Sequence, residues 1–402
     1  MPAMDWTDFC VALQGERLPA ALVDLDALDR NVDRLKDRLT GGKTLRIASK
    51  SVRHVGLLRR ILARGGPSFQ GLMCYCVDEA VALAGEGFDD LLVAYPTVQA
   101  IALDGLAGLA ASGRTVSVVV DCAAHVEALG AAGRRAGVSL AAVLELDVSY
   151  RPLGGRAHLG VRRSPLRSAT DCIALARLVA RVPGAHVAGL MAYEAHIAGL
   201  PDRNPFSPRM NPVRRALKRR AMPAVARLRG EVVAALRADG VRLDRVNGGG
   251  TGSVHHTTRE EVVTEVTAGS GFLCPHLFDY YADLGLEPAA FFALEVCRAS
   301  DPGYVTCAGG GYVASGEPGW DRVPIPYAPP GLRYVPMEGA GEVQTPLRLR
   351  AGGQPLAVGD PVIFRHAKAG ELAERFARYV LLRGGAVEGV EPTYRGRGWC
   401  FL

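Results

Sequence analysis

Residues 44–96, TLRIASKSVRHVGLLRRILARGGPSFQGLMCYCVDEAVALAGEGFDDLLVAYP, decide the fold. Three short apolar runs in this stretch, Thr44–Ser49, Phe69–Cys76 and Leu91–Tyr95, have the length and composition of strands. A segment with helical spacing, Val77–Glu86, separates the second run from the third. Because runs that are apolar throughout must be buried on both faces, this alternation predicts parallel strands connected by helices.

The same alternation continues along most of the chain. Five further runs predict strands: Ala21–Leu25, Val116–Asp121, Ala142–Val148, Val187–Tyr193 and Arg245–Asn247. Eight such units favour an α/β fold of the closed (β/α)₈, TIM-like barrel type. A doubly wound open sheet is the alternative.

The sequence changes in character after Leu286. Gly and Pro become dense, as in AGGGYVASGEPG and PIPYAPPG, and short apolar runs follow one another without long helices between them. This pattern predicts a smaller, mostly β domain. We therefore expect the barrel in residues 18–285, and the β domain in residues 286–402 together with residues 1–17.

Composition excludes several classes of protein. The 402 residues are 49% hydrophobic and carry a net charge of +6, which is too mild for a nucleic-acid-binding surface. Nine cysteines without a C-x-x-C pair argue against a disulfide framework. Since no segment is apolar for about 18 residues, we expect a cytoplasmic protein that acts on a small molecule, with no membrane or nucleic-acid partner.

Lys50 is the first candidate for chemistry. The C-terminal ends of barrel strands form the active-site mouth, and Lys50 directly follows the strand Thr44–Ser49. A lysine in that position is partly desolvated, and a neutral amine is what a Schiff base with an aldehyde requires. Taken alone, the same lysine would equally suit a structural salt bridge.

A glycine-rich run is the second candidate. VNGGGTGS, residues 246–253, offers consecutive backbone amides and two hydroxyls, which suits a phosphate group, although a tight turn would also need glycine. Its spacing departs from G-x-x-x-x-G-K-[ST], which disfavours a P-loop. Phosphate sites on barrels form near the last strands, and AGSG, residues 268–271, would complete one. A late phosphate site with an early lysine indicates pyridoxal phosphate.

Four segments together resemble a known family: PAALVDLDALDRNVDRL (19–35), RIASKSVRH (46–54), VNGGGTGS (246–253) and TAGSGFLCPHLFDYY (267–281). They are similar to the fold-type III pyridoxal-phosphate enzymes, whose barrel is that of the alanine racemase N-terminal domain. The branch they resemble contains D-threonine aldolase and D-serine dehydratase. The resemblance spans roughly residues 18–285 and extends more weakly into the C-terminal domain.

The resemblance implies a site and an assembly. It implies pyridoxal 5'-phosphate on Lys50 as a Schiff base, and a homodimer. It implies that Tyr193 and His196 contact the ring or substrate. In the reaction that we expect, His196 or His366 would be the catalytic base. The phosphate-binding positions that it implies are Gly249, Gly250, Thr251, Gly252, Ser253 and Gly271.

Two departures from the family leave alternatives open. His158 stands where relatives often carry an arginine beside the cofactor ring, so His158 would contact the cofactor here. Relatives also hold a divalent metal (Mn, Mg or Zn) through a C-terminal histidine and a Cys or Asp two residues later. His366 matches the histidine, but Lys368 stands at the second position and an ammonium cannot ligate. Either a nearby glutamate completes a metal site on His366, or Lys368 or His366 acts as a base without metal.

The reaction that we expect is retro-aldol cleavage of a D-configured β-hydroxy-α-amino acid to an aldehyde and a small amino acid. The first alternative is a dehydratase or deaminase, which would release ammonia and a 2-oxo acid. A racemase is a further alternative and would need a second base on the opposite face, often a tyrosine from the partner subunit, such as Tyr304, Tyr312 or Tyr327. A non-catalytic pyridoxal-phosphate carrier is disfavoured, because such carriers are usually a bare barrel.

Overall fold

The computed structural model describes residues 4–299, 301–368 and 370–401. Its strands are β1 (Ala20–Asp24), β2 (Thr44–Ala48), β3 (Phe69–Cys74), β4 (Leu91–Val93), β5 (Val116–Val120), β6 (Leu140–Glu145), β7 (Ala185–Ala192), β8 (Arg245–Gly248), β9 (Glu265–Ala268), β10 (Ala290–Arg298), β11 (Tyr304–Ala308), β12 (Ile325–Ala328), β13 (Arg333–Tyr334), β14 (Gln344–Arg348), β15 (Pro361–Arg365), β16 (Arg378–Arg383) and β17 (Ala386–Pro392). Its α-helices are α1 (Trp6–Ala12), α2 (Leu25–Lys36), α3 (Val55–Gly65), α4 (Val77–Gly85), α5 (Ala100–Ala111), α6 (Ala123–Ala136), α7 (Ala169–Arg181), α8 (Ala195–Ala198), α9 (Asn211–Ala238), α10 (Val254–Thr257) and α11 (Ser270–Leu273). None of the helices in these residues has the length and hydropathy needed to span a membrane.

Strands β2 to β9 form a closed barrel in chain order. All neighbouring pairs are parallel, and the ring closes where β2 pairs with β9, with Leu45 opposite Val266. The apolar composition of the strands follows from this arrangement: every residue of β5 is buried, because helices cover one face and the barrel interior the other. The predicted α/β barrel is confirmed.

One of the eight predicted barrel strands is wrong. β1 pairs with β10 and β16 of a second sheet and takes no part in the barrel. The eighth barrel strand is instead β9, for which we predicted only the Gly/Ser stretch that follows it. A short apolar run indicates burial on both faces but not which sheet it joins, since either partner satisfies the same pattern.

The second sheet is the mostly β part that the sequence predicts. Its main path runs β13-β14-β11-β10-β1-β16-β17, and β15 pairs with both β10 and β12. One continuous hydrophobic core includes Leu45 of the barrel and Phe364 of this sheet. The division into residues 18–285 and 286–402 stays a prediction, although β1 lies with the second sheet.

A polar network fills the barrel at the end away from the mouth. The guanidinium of Arg46, 1% exposed, donates through Nε and Nη2 to both carboxylate oxygens of Glu265, each at 2.8 Å, and through Nη2 to Asp90 at 2.8 Å. Arg245 makes a further ion pair with Asp90 at 3.2 Å. Paired charges of this kind can be buried because each one is neutralised and hydrogen-bonded.

Candidate functional site

A cavity of about 580 Å³ lies at the C-terminal ends of the barrel strands. The barrel residues that line it follow the strands directly, as Lys50 follows β2 and Ser270 follows β9. Residues of the second sheet's loops, including Arg322 and Lys368, also line it. The mouth of the barrel is therefore the candidate active site.

Lys50 lies in a short 3₁₀ turn after β2, with its side chain exposed towards this cavity. The expectation that burial desolvates its amine is therefore wrong. Its Nζ donates to the hydroxyl of Tyr95 at 2.9 Å. Burial by itself would raise the pKa of Tyr95, but the adjacent Lys50 charge and hydrogen bond lower that pKa overall.

Arg163 lies between two tyrosines of the cavity and was missed in the sequence. Its Cζ is 5.7 Å from the ring centroid of Tyr95 and 5.9 Å from that of Tyr193. Tyr193 lines the cavity as predicted, and burial raises its pKa to about 12, so its phenol stays protonated at neutral pH. The rule that identified Tyr193, a polar residue after an apolar strand, would also have identified Tyr95 after β4.

Two histidines that we predicted at the site do not line the cavity. His158, expected beside the cofactor ring, is absent from the cavity lining, and its buried Nε2 has no hydrogen-bond partner. Arg163, five residues later, supplies the cation there. His196 lies in α8 outside the lining, although its neighbours Ala195 and Ala198 contribute to it, and burial lowers the pKa of His196.

A buried carboxylate holds the glycine-rich run in place. Glu194 accepts hydrogen bonds from the amide of Gly249 at 3.1 Å and from the hydroxyl of Ser253 at 2.7 Å. Burial alone would raise the pKa of Glu194, but its 2.8 Å ion pair with Arg229 and these hydrogen bonds lower it. Gly249 lines the cavity as predicted, whereas Ser253, which we also predicted to bind phosphate, is fully buried outside the lining and positions the loop through Glu194.

Both glycine-containing turns present free backbone amides at the cavity. Within the described ranges of the chain, the N–H groups of Thr251 and Ser270 donate to no protein group. The Thr251 hydroxyl accepts from the amide of Gly271 at 3.0 Å, which joins the two glycine-containing turns. A Cβ at Gly250 would lie 2.8 Å from the Cβ of Ala198, so glycine is needed there. Free amides in a turn suit phosphate oxygens, so these residues fit pyridoxal phosphate.

Gly252 lies behind the main cavity. It lines a second cavity of about 230 Å³, and a Cβ there would lie 2.2 Å from the carbonyl oxygen of Ala198. The close approach of two backbones explains the glycine at this position.

The segment after β15 contributes Lys368 to the cavity but not His366. Lys368 Nζ donates to the hydroxyl of Ser315 at 2.6 Å, and burial lowers the pKa of this amine, partly offset by Glu371. His366 is 0% exposed and lies in the core, where burial lowers its pKa to about 3. Both of its ring nitrogens lack a hydrogen-bond partner.

The residues of this segment do not fit the divalent metal that the resemblance implies. His366 does not line the cavity, and Lys368 has hydrogen-bond donors but no free ligand atom when protonated. Among the residues with described positions, no group of three close His, Cys, Asp or Glu ligands includes His366. His366 therefore belongs to no three-ligand group, and Lys368 stands where the resemblance places its second ligand.

Comparison with known sequences gives one family and several relatives. The sequence model of the alanine racemase N-terminal domain matches residues 23–271. The 3-hydroxy-D-aspartate aldolase of Paracoccus denitrificans (strain Pd 1222) is 28% identical over 274 residues, which is 67% of this chain and 62% of that protein, less than two thirds of its length. The D-threonine aldolase of an Arthrobacter species is 26% identical over 387 residues, 94% of this chain and 92% of that protein.

Solved structures share the whole architecture. D-threonine aldolase from Filomicrobium marinum superposes with a TM-score of 0.78 at 23% identity, covering 95% of this chain and 96% of that chain. D-threo-3-hydroxyaspartate dehydratase from Delftia sp. HT23 gives a TM-score of 0.71 at 22% identity, covering 95% and 98%. The barrel and the second sheet therefore occur together in both solved proteins.

Proposed function

Because the chain belongs to the alanine racemase N-terminal domain family, we propose that it is a pyridoxal-phosphate-dependent lyase of D-configured β-hydroxy-α-amino acids. The reaction is retro-aldol cleavage to an aldehyde and a small amino acid. The observation that carries the proposal is that Lys50 and the free amides of Thr251 and Ser270 line one cavity. Relatives named as aldolases support the choice of reaction.

The residues of the cavity divide the work of holding the cofactor that this family uses. When bound, pyridoxal phosphate would supply an aldehyde for the amine of Lys50 and an electron sink for the Cα–Cβ bond. The amides of Thr251 and Ser270 would donate to its phosphate. Tyr193 and Arg163 would contact its ring, so Arg163 would take the role predicted for His158.

Lys368 is the base in this proposal, in place of His196 and His366. The proton of the substrate's β-hydroxyl has to leave as the Cα–Cβ bond breaks, and a base must reach it. Lys368 lines the cavity, and its lowered pKa increases the fraction of neutral amine at neutral pH. His366 has no access to the cavity because it is fully buried.

Visible absorption with product analysis tests the proposal. We would record spectra of the wild type, Lys50→Ala and, as a control, Lys36→Ala on the outer helix α2, each with added pyridoxal phosphate. D-threonine, D-threo-3-hydroxyaspartate and D-serine would then be added in turn. We expect a lysine-bound cofactor band in the wild type and Lys36→Ala that Lys50→Ala lacks, and an aldehyde product from one of the hydroxy amino acids.

The products distinguish the alternatives. Ammonia with a 2-oxo acid in place of an aldehyde would make the protein a dehydratase, and loss of optical rotation alone would make it a racemase. Tyr304, Tyr312 and Tyr327 are absent from the cavity lining of the described chain, so a racemase would need one of them, or another base, from the partner subunit of a dimer. Absence of any cofactor band would refute the proposal. The homodimer and the cytoplasmic location stay predictions, and light scattering would test the first.

A further inference from the structure

A second group of ligand-type side chains lies at the barrel mouth, after β5. Asp121 and Cys122 follow the strand directly, and His125 is on the first turn of α6. Their carboxylate, thiol and imidazole ligand atoms all lie within 4.8 Å of one another. In the part of the chain that the structure describes, no other three His, Cys, Asp or Glu side chains meet in this way. None of the three lines the main cavity.

All the contacts in this group converge on one nitrogen. Nδ1 of His125 is 2.9 Å from Oδ1 of Asp121 and 3.3 Å from Sγ of Cys122, and it also accepts the backbone N–H of Asp121 at 3.4 Å. In neutral imidazole, a ring nitrogen carries either a proton or a lone pair. The backbone amide requires the lone pair, whereas the carboxylate requires the proton, so one neutral nitrogen cannot satisfy both.

The same geometry excludes a nucleophilic triad. In such a triad the thiol and the carboxylate bind opposite nitrogens of the imidazole, so that the ring relays one proton. Here both partners of His125 approach Nδ1. A cation bound between the three side chains would instead be coordinated by the thiolate, a carboxylate oxygen and the lone pair of the imidazole nitrogen.

The thiol of Cys122 does not cap the helix that follows it. Cys76 and Cys122 both stand at the N-cap of a helix, α4 and α6 respectively. Cys76 Sγ accepts the backbone N–H of Glu79 at 3.4 Å, which caps α4. Cys122 makes no capping hydrogen bond and contacts His125 instead.

We propose that Asp121, Cys122 and His125 bind one borderline-soft divalent cation, and that Zn²⁺ is the best match. Sulfur, nitrogen and oxygen donors together suit Zn²⁺, and three protein ligands leave a fourth position for water. Around tetrahedral Zn²⁺ a thiolate sulfur and an imidazole nitrogen lie about 3.5 Å apart, close to the 3.3 Å between Cys122 and His125. Binding forms one bond from each side chain to the metal, and the thiol proton passes to solvent.

Asp121, Cys122 and His125 do not line the cavity that contains Lys50, so the proposed metal site does not rest on the lyase activity. The side chains of His125 and Asp121 are largely buried, but they remain 19% and 11% exposed, which leaves an entry path from solvent.

Cobalt spectroscopy tests the site. Full-length protein without an affinity tag would be treated with a chelator and titrated with Co²⁺. We expect a thiolate-to-cobalt charge-transfer band and the intense d–d bands of a four-coordinate ion, both saturating at one Co²⁺ per chain and displaced by Zn²⁺. Cys122→Ser should lose the charge-transfer band, and His125→Ala should weaken binding at least about tenfold.

Controls separate this site from adventitious binding and from misfolding. His186→Ala removes an exposed surface histidine that contacts Ser139, and it should leave the titration unchanged. Circular dichroism of the conservative Cys122→Ser variant checks its fold, and Zn²⁺ should raise the melting temperature of the wild type but not of this variant. A wild-type protein without a saturable band, or a band that persists in Cys122→Ser, would overturn the proposal.

Discussion

Two sides of the cavity present their polar groups in different ways. On the phosphate side, the loops after β8 and β9 place consecutive residues at the cavity, and Thr251 and Ser270 offer free amides. On the C-terminal side, the residues that follow β15 differ in where they lie: His366 is in the core, whereas Lys368 and Glu371 line the cavity. The barrel side follows a local rule, that residues after a strand reach the mouth, whereas the C-terminal side depends on how a second sheet packs over it.

The Lys368→Met variant has the largest expected effect, because it removes the base from the C-terminal side. General acid–base catalysis contributes about 10²- to 10⁴-fold, so we expect kcat for the aldol cleavage to fall by about 10²-fold or more. Methionine keeps the packing of the stem, so the melting temperature should stay within about 2 °C. Steady-state kinetics with a pH profile measures this, and the acidic limb of the profile, where protonation of Lys368 removes the base, should disappear. An unchanged kcat would assign the base elsewhere.

Arg229→Met disrupts the support of the phosphate side. Arg229 is fully buried and pairs with Glu194 and Glu260, so methionine would leave Glu194 buried without its partner charge. Breaking a buried pair in this way costs about 3–5 kcal/mol of unfolding free energy. Urea denaturation measures it, with the exposed Arg220→Met of the same helix α9 as the control. If both variants unfold alike, Glu194 does not depend on Arg229.

Gly250→Ala should weaken cofactor binding without disturbing the hydrophobic core. The added Cβ would lie 2.8 Å from Ala198 and 2.9 Å from the ring of Tyr193, so the ring must shift into the cavity. We expect pyridoxal phosphate to bind about tenfold or more weakly, as followed by absorbance titration. Gly230→Ala in α9 meets no atom within 4 Å and serves as the control. Equal affinity in both variants would mean that the cofactor does not approach Gly250.

His366→Leu is expected to have no effect through titration near neutral pH and to show its effect only as the pH falls. Burial lowers the pKa of His366 to about 3, while in the unfolded chain it is about 6.5. Above about pH 6.5 the imidazole is neutral in both states, so its titration does not change the free energy of unfolding. As the pH falls below that value, the unfolded chain binds a proton that the folded chain does not bind, and the folded state loses stability. Between about pH 6 and 4, the variant should lose stability less steeply than the wild type, by about 1.4 kcal/mol per pH unit.

Urea denaturation at a series of pH values measures this difference in slope. The exposed His186→Ala is the control and should keep the wild-type slope. Equal slopes for His366→Leu and the wild type would show that His366 titrates normally. If a chelator lowered the melting temperature of the wild type but not that of His366→Leu, His366 would be a metal ligand after all.

The local pattern of the sequence was enough for much of the barrel and for its mouth. Apolar runs alternating with helices predicted the barrel, because a strand buried on both faces has to be apolar along its length. The polar residues after those runs identified Lys50, Tyr193 and the glycine-rich run, because the ends of parallel strands meet at one mouth. Only local chain geometry is needed for these inferences.

Packing between distant segments decided the rest. β1 joined the second sheet, and β9, which was not predicted as a strand, completed the barrel, because pairing partners are chosen by tertiary contacts and not by the composition of a five-residue run. Arg163 reached the cavity in place of His158, and Lys368 in place of His366, because the path of a loop sets which side chain points inwards. A sequence gives the residues available to a site, but the second sheet closing over the mouth selects which of them face it.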